Sequence, residues 1–180
     1  DPLNELDPGW WRRQIGWIGQ APVLFHGTLR DNLRVARPQA ADADILAAAR
    51  TAGVLSFADR LPQGLDTLGG ERGLGLSRGE AQRLAMGRVF LKDAPVLLLD
   101  EPFTGLDADT ERWVRDAIGS HGAGRTVLTV THRLTGVQSV DQVAVLEGGR
   151  IAQSGHPDDL QAADGPFRRL TELRLKGAAP

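Results

Sequence analysis

Cysteine is absent from the 180 residues, so neither a disulfide nor thiol chemistry is available to this chain. Lysine is nearly absent: Lys92 and Lys176 are the only two, and arginine supplies the other basic side chains. A phosphate-cradling loop of the form G-x-x-x-x-G-K-[ST] places its lysine directly after a glycine. Leu91 precedes Lys92 and Leu175 precedes Lys176, so neither lysine belongs to such a loop. No apolar run approaches the length needed to span a bilayer. The net charge is only −2, so bulk charge points to no nucleic-acid partner. The acidic opening, Asp1 to Trp10, lacks a secretory pattern. Internal repeats and low-complexity segments are missing too. What remains is 41% hydrophobic, enough for the core of one domain, expected to be soluble and cytosolic.

The chemistry concentrates between Gly73 and Asp107, GLGLSRGEAQRLAMGRVFLKDAPVLLLDEPFTGLD. Val96 to Leu99 is a short apolar run closed by Asp100, the pattern of a strand buried on both faces of a parallel sheet. In open α/β sheets, ligands bind at the carboxyl ends of such strands. If the strand continues, Asp100 and Glu101 point in opposite directions and can take two roles. One carboxylate can hold Mg²⁺, with water and substrate phosphates completing its shell. The other can polarise a water for attack on phosphorus. The plainer alternative is that Asp-Glu-Pro caps a strand and opens a helix.

Ahead of that strand, Ser77 followed by Glu80 makes a capping-box pattern, and the spacing predicts a helix from Arg78 to Lys92, with Leu84, Val89 and Leu91 among its apolar positions. Gly69, Gly70, Gly73, Gly75 and Gly79 crowd its entrance. Free N–H groups, a hydroxyl and little side-chain bulk suit an anion, although capping boxes also begin ordinary helices.

In this order and spacing the two pieces resemble the ATP-binding cassette (ABC) family. Leu76-Ser77-Arg78-Gly79-Glu80 is similar to its signature motif, usually LSGGQ, with Arg78 in place of the first glycine and Glu80 in place of the glutamine. Val96 to Asp100 resembles the Walker B strand, Glu101 the catalytic glutamate, and Thr104 to Asp107 the D-loop. The resemblance implies an α/β fold, the P-loop NTPase cassette, with a mainly parallel sheet flanked by helices. A helical signature subdomain over about residues 28–92 would be inserted between core parts at 1–27 and 93–180. The family's P-loop and opening strands lie upstream of the part seen here, so the chain is expected to be a piece of a longer protein.

Taken in order, Asp7-Pro8-Gly9 reads as a helix or turn start. Trp10 and Trp11 cannot both face one core, and one buried with one flat on the surface is expected. Ile15 to Gly19 reads as a strand ended by Gln20-Ala21-Pro22, which resembles the Q-loop, the place where family members meet a membrane domain. Thr28 to Val35 reads as a helix capped by Thr28 with Asp31 near its positive end. Asp42 to Ala52 and Val54 to Leu61 follow as helices, and Leu61 to Thr67 as a turn leading to an extended piece. Ala108 to Ile118 reads as a helix with Asp107 as its cap, Gly119 to Gly124 as a loop, and Arg125 to Val130 as a strand. His132, in Thr-His-Arg-Leu, resembles the H-switch that touches the γ-phosphate. Two strands, Gln142 to Glu147 and Arg150 to Ser154, read as a hairpin about Gly148-Gly149. Pro157 to Ala162 and Pro166 to Arg174 read as helices, with fraying from Gly177 to Pro180.

The resemblance implies an ATPase using ATP and Mg²⁺. Asp100 and Gln20 would serve the metal, and Glu101, His132 and Gln20 catalysis; Ser77, Arg78, Gly79, Glu80 and Asp107 would serve the nucleotide of a second cassette. That partner would face this one head to tail, as a heterodimer, with a transmembrane domain encoded upstream and no nucleic acid involved. The resulting machine would be an exporter at the cytoplasmic face of a bacterial inner membrane. Softer cues, namely Trp11-Arg12-Arg13, His26 to Arg30, SRGEAQRLAMGR and Gly165-Pro166-Phe167, resemble the thiol-reductant exporters of cysteine or glutathione that support cytochrome bd assembly. A lipid or drug exporter cassette, a cassette ATPase without transport, and a non-catalytic remnant or dimerisation module remain as alternatives.

Overall fold

The computed structural model describes residues 3–69 and 75–177. In chain order these form α1 (Pro8–Arg13), β1 (Ile15–Ile18), β2 (Gly27–Thr28), α2 (Leu29–Arg34), α3 (Asp42–Thr51), α4 (Leu55–Ala58), β3 (Leu68–Gly69), α5 (Arg78–Lys92) and β4 (Val96–Asp100). They continue as α6 (Ala108–Gly122), β5 (Thr126–Val130), β6 (Val143–Glu147), β7 (Arg150–Gly155), α7 (Pro157–Ala162) and α8 (Pro166–Gly177). The chain divides into two compact units, one closing at Thr131 and one opening at His132.

The first unit is built on a parallel sheet of order β1-β4-β5, with Ile18 beside Leu99 and Asp100 beside Val130. Helix α5 covers one face. A Cβ on Gly16 would lie 2.9 Å from Val89 Cγ1, so glycine is what lets this helix sit so close to β1. Leu97 and Leu99 are buried on that face, in one core with Leu84, Met86 and Val89 of α5 and Val114 of α6. Val96, Leu98 and Asp100 alternate to the other face and are only partly buried. The expectation of a strand buried on both sides is therefore corrected. On that second face, in register across the strands, Trp17 is 66% and Leu128 56% exposed. All five residues of β5 are exposed, and among the described residues β5 pairs only with β4.

The region preceding α5 is helical, as the residue pattern predicts. Thr28 and Asp31 form a complete capping box on α2, and Asp31 is held below its ordinary pKa by the Thr28 backbone and hydroxyl hydrogen bonds. Arg30 grips Asp66 with a fork, Nε to Oδ1 at 2.7 Å and Nη2 to Oδ2 at 3.3 Å, tying α2 to the turn before β3. Two helix ends and the placing of the tryptophans differ from the expectation. Helix α4 is one turn rather than a run to Leu61. Helix α6 continues through Gly119 to Gly122, where the centre of the His121 ring packs 4.3 Å from that of the Phe90 ring of α5, a contact that outweighs a single glycine. Trp10 and Trp11 stack at 6.4 Å on a helix that buries no residue, so neither is a core side chain.

The second unit is the β6–β7 hairpin with α7 and α8 around Val145, Leu160 and Phe167. Gly148 and Gly149 take φ of 56° and 77°, which a two-residue turn of this hand requires. The last helix runs past Arg174 to Gly177. The expected fraying beyond Gly177, and the loop glycines Gly70 and Gly73, lie outside the described residues. Among the described residues, no helix is long and apolar enough to cross a membrane.

Candidate active site

The carboxyl ends of β1 and β4 leave the sheet side by side. Gln20 stands two residues beyond Ile18, and Glu101 two beyond its register partner Leu99. Asp100 is the last strand residue, on the same face as Trp17 and Leu98. The strand does not continue: Glu101 turns into the left-handed region at φ 51°. The condition for strand alternation therefore fails at Glu101, and the backbone turns there instead of pleating on. A non-glycine residue held there costs roughly 1–3 kcal/mol. Three hydrogen bonds hold it: Glu101 N–H donates to Val130 O at 2.9 Å, Thr104 N–H donates to Glu101 O at 3.1 Å, and Thr104 Oγ1 donates to Glu101 Oε2 at 2.9 Å. Thr104 escaped the sequence reading as a separate contributor; its signal is a hydroxyl three residues after an acid in a turn. Gln20 is exposed, and His132, also exposed, is the first residue of the second unit.

The start of α5 forms as its sequence predicts. Glu80 N–H donates to Ser77 Oγ at 3.3 Å, while Ser77 N–H and Oγ donate to Glu80 Oε2 at 2.9 and 2.8 Å. Arg78 is exposed. Asp107 caps α6, accepting from the N–H groups of Asp109 and Thr110 at 3.1 and 2.9 Å and from Thr110 Oγ1 at 2.7 Å. Those bonds, the Thr110 backbone bond foremost, hold the Asp107 carboxyl below the usual carboxylate range. Buried Gln82 donates Nε2–H to Pro102 O at 2.9 Å, fastening α5 to the turn after β4.

A second group lies behind the segment following Gln20. Arg88 of α5 donates to Asn32 O at 2.8 Å, Asn32 Oδ1 at 2.6 Å and Val23 O at 2.6 Å, with its guanidinium 4.9 Å from the Phe25 ring centre. Asn32 in turn accepts from Phe25 N–H at 2.9 Å and donates to Phe25 O and Thr28 O, both at 2.9 Å. Burial pushes the Arg88 guanidinium below its ordinary pKa. Neither residue was singled out from the sequence. The available signal was an arginine between Gly87 and Val89 on the apolar side of a helix.

Among the described residues no three His, Cys, Asp or Glu side chains gather into a metal site. The donors present, a strand-end carboxylate and a neutral amide oxygen, suit Mg²⁺, which takes few protein ligands and completes its octahedron with water and phosphate oxygens.

The fold places the chain among open α/β domains that bind ligands at the carboxyl edge of parallel strands. The family model described as "ABC transporter" matches residues 1–104. The glutathione/L-cysteine transport system ATP-binding/permease protein CydD of Escherichia coli is 42% identical over 172 residues, covering 96% of this chain and 29% of that protein. The mitochondrial potassium channel ATP-binding subunit of Pongo abelii is 41% identical over 169 residues, covering 93% of this chain and 24% of that one. The structure of a bacterial Atm1-family ABC exporter with ATP bound aligns with 99% of this chain at TM-score 0.89 and 36% identity, covering 31% of its own length. This chain belongs to the ABC transporter family and has its cassette fold. It spans less than a third of the length of these relatives.

Proposed function

We propose that this chain is the greater part of an ATP-hydrolysing cassette that drives an exporter. In its own site Asp100 and Gln20 would hold Mg²⁺, which supplies charge neutralisation at the phosphates when bound. Glu101 would orient the attacking water and take its proton, Gln20 would touch the same water, and His132 would hydrogen-bond the γ-phosphate. Ser77 and Gly79, flanked by Arg78 and Glu80, would meet the γ-phosphate bound by a second cassette placed head to tail, with Asp107 bridging the two sites. The helical stretch over about residues 28–92 would carry that signature turn to the partner. The observation that carries this reading is the paired strand ends, with Glu101 held out of ordinary backbone geometry by Thr104 and Val130.

The open sheet supports a completing segment. Parallel sheets are normally covered on both faces, yet Trp17 and Leu128 are exposed on the second face, and among the described residues no strand pairs with the outer edge of β5. A further strand against β5 and a helix over that face, bringing the phosphate-binding loop the sequence lacks, would bury both.

The test is Glu101→Gln in the complete transporter. Loss of the base should lower turnover by about 10²–10⁴-fold, while Mg-ATP binding persists. Undiminished steady-state hydrolysis would overturn the assignment. For cargo, the likeness to CydD, a glutathione/L-cysteine transport protein, supports export of a small thiol such as cysteine or glutathione; a heterodimeric arrangement at a bacterial inner membrane is what the resemblance to thiol-reductant exporters implies. ATP-dependent uptake of labelled glutathione or cysteine into inverted vesicles checks it. The rival reading, a non-catalytic dimerisation module, draws on the absence of a P-loop lysine from this stretch, and it alone requires the complete transporter to leave ATP intact.

A further inference from the structure

Two turns that the proposed function assigns to nucleotide and partner contacts touch each other within this chain. Gly105 has φ +72° in the turn after β4, and a Cβ built on it would lie 2.7 Å from Arg78 Cζ, 2.7 Å from Nη1 and 2.8 Å from Nε. Three atoms of a planar group, equidistant from one point to within 0.1 Å, present that group's face. The Arg78 guanidinium therefore lies broadside on the Gly105 backbone, using the weakly hydrated face that arginine has and lysine lacks. Beside it, a Cβ on Gly79 would come within 3.4 Å of Thr110, whose hydroxyl is bonded to Asp107. One helical turn further, Gln82 holds Pro102 O. The first turns of α5 thus grip the 102–110 segment at three successive points.

We propose that Arg78 is a positioning residue that locks the 77–80 turn to the 104–107 turn, so that the two move as one body. The inference rests on the reading that Ser77 and Gly79 face one nucleotide while Asp107 reaches between two sites. Under that reading, the lock carries occupancy of one site to the other. It also gives Gly105 a second reason to be glycine: the positive φ alone disfavours a side chain, and the guanidinium occupies the place where one would go.

The test is a double-mutant cycle in the complete transporter, using Arg78→Ala, Gly105→Ala and the pair, read as kcat and KM for Mg-ATP. The strain of alanine at positive φ is common to both backgrounds and cancels, leaving the contact with the guanidinium. G105A should lower kcat about tenfold more with Arg78 present than in the R78A background, within the range touching residues show. R78A alone should lower kcat with little change in KM, and Arg78→Lys should not restore it. An equal factor in both backgrounds overturns the lock. A raised KM at unchanged kcat overturns it as well, by making Arg78 a direct nucleotide contact. Amide exchange of the nucleotide-free transporter judges the lock without turnover: R78A should speed exchange at Thr104 and Leu106, and unchanged exchange there overturns it. A parent transporter that hydrolyses no ATP would count against the proposed function alone.

Discussion

Arg88→Met removes a side chain that links three parts of the first unit through one guanidinium. Its three bonds reach Asn32 O, Asn32 Oδ1 and Val23 O. Hydrogen bonds to charged groups contribute about 1.5–3 kcal/mol each. The Val23 bond lies at an exposed position where water can replace it, so the loss rests on the two partly buried bonds to Asn32. Met avoids the desolvation that burying the guanidinium imposes, which offsets part of that loss. A net destabilisation of about 2–4 kcal/mol follows. Arg88→Lys should recover little, since one ammonium cannot reach three acceptors set for a planar fork. Urea unfolding of the 180-residue chain, followed by tryptophan fluorescence, should show the midpoint falling by about 1–2 M with the slope unchanged. The Val23–His26 segment should also become easier to cleave with protease. A loss below about 0.5 kcal/mol for R88M, or full rescue by lysine, would refute the clamp.

Gly87→Ala should destabilise although alanine is the better helix former. The new Cβ would sit 2.5 Å from Leu33 Cδ2, which is fully buried, and overpacking at about 1–3 kcal/mol outweighs the roughly 1 kcal/mol of helix propensity gained; a melting temperature that rises would contradict it. His121 is held below its ordinary pKa by burial first and by the Arg125 guanidinium second, against Asp93 acting the other way. The unfolded chain therefore takes up this proton first: stability is full above about pH 6.5 and declines as pH falls through the folded pKa. His121→Gln should flatten that part of the stability–pH curve. Thr104→Val should lower kcat about tenfold at unchanged KM by removing one charge-assisted bond to Glu101, and Thr104→Ser should restore it; a kcat equal to the parent's in T104V would show that Glu101 needs no such support.

Local rules made much of the fold legible. Ser77 with Glu80, Thr28 with Asp31, and Asp107 before Ala108 are caps whose chemistry is complete within four residues, and each forms as the sequence predicts. The Gly148-Gly149 turn is equally local. What was not legible depends on long-range packing. Arg88 meets Asn32 across 56 positions, and Arg78 meets Gly105 across a helix and a strand, so neither pairing has a local period. Burial on both faces of β4 was expected from an apolar run, but a run cannot say whether a second layer is present to cover it.

Glu101 shows why the site itself resisted a reading by alternation. A residue before proline is pushed toward extended geometry, and a strand ending in Asp-Glu-Pro should carry that geometry through the acid. Instead Glu101 adopts φ 51°, with its N–H on Val130 and its carboxylate on Thr104. Two neighbours from different elements, β5 and the following turn, impose what the local sequence opposes. Conformations of that kind persist where surrounding structure over-determines them, and they cluster at sites that do chemistry. The strain is held where β4 ends: Asp100 closes the strand in register with Val130, and one residue later Glu101 leaves it with its N–H and its carboxylate both bonded.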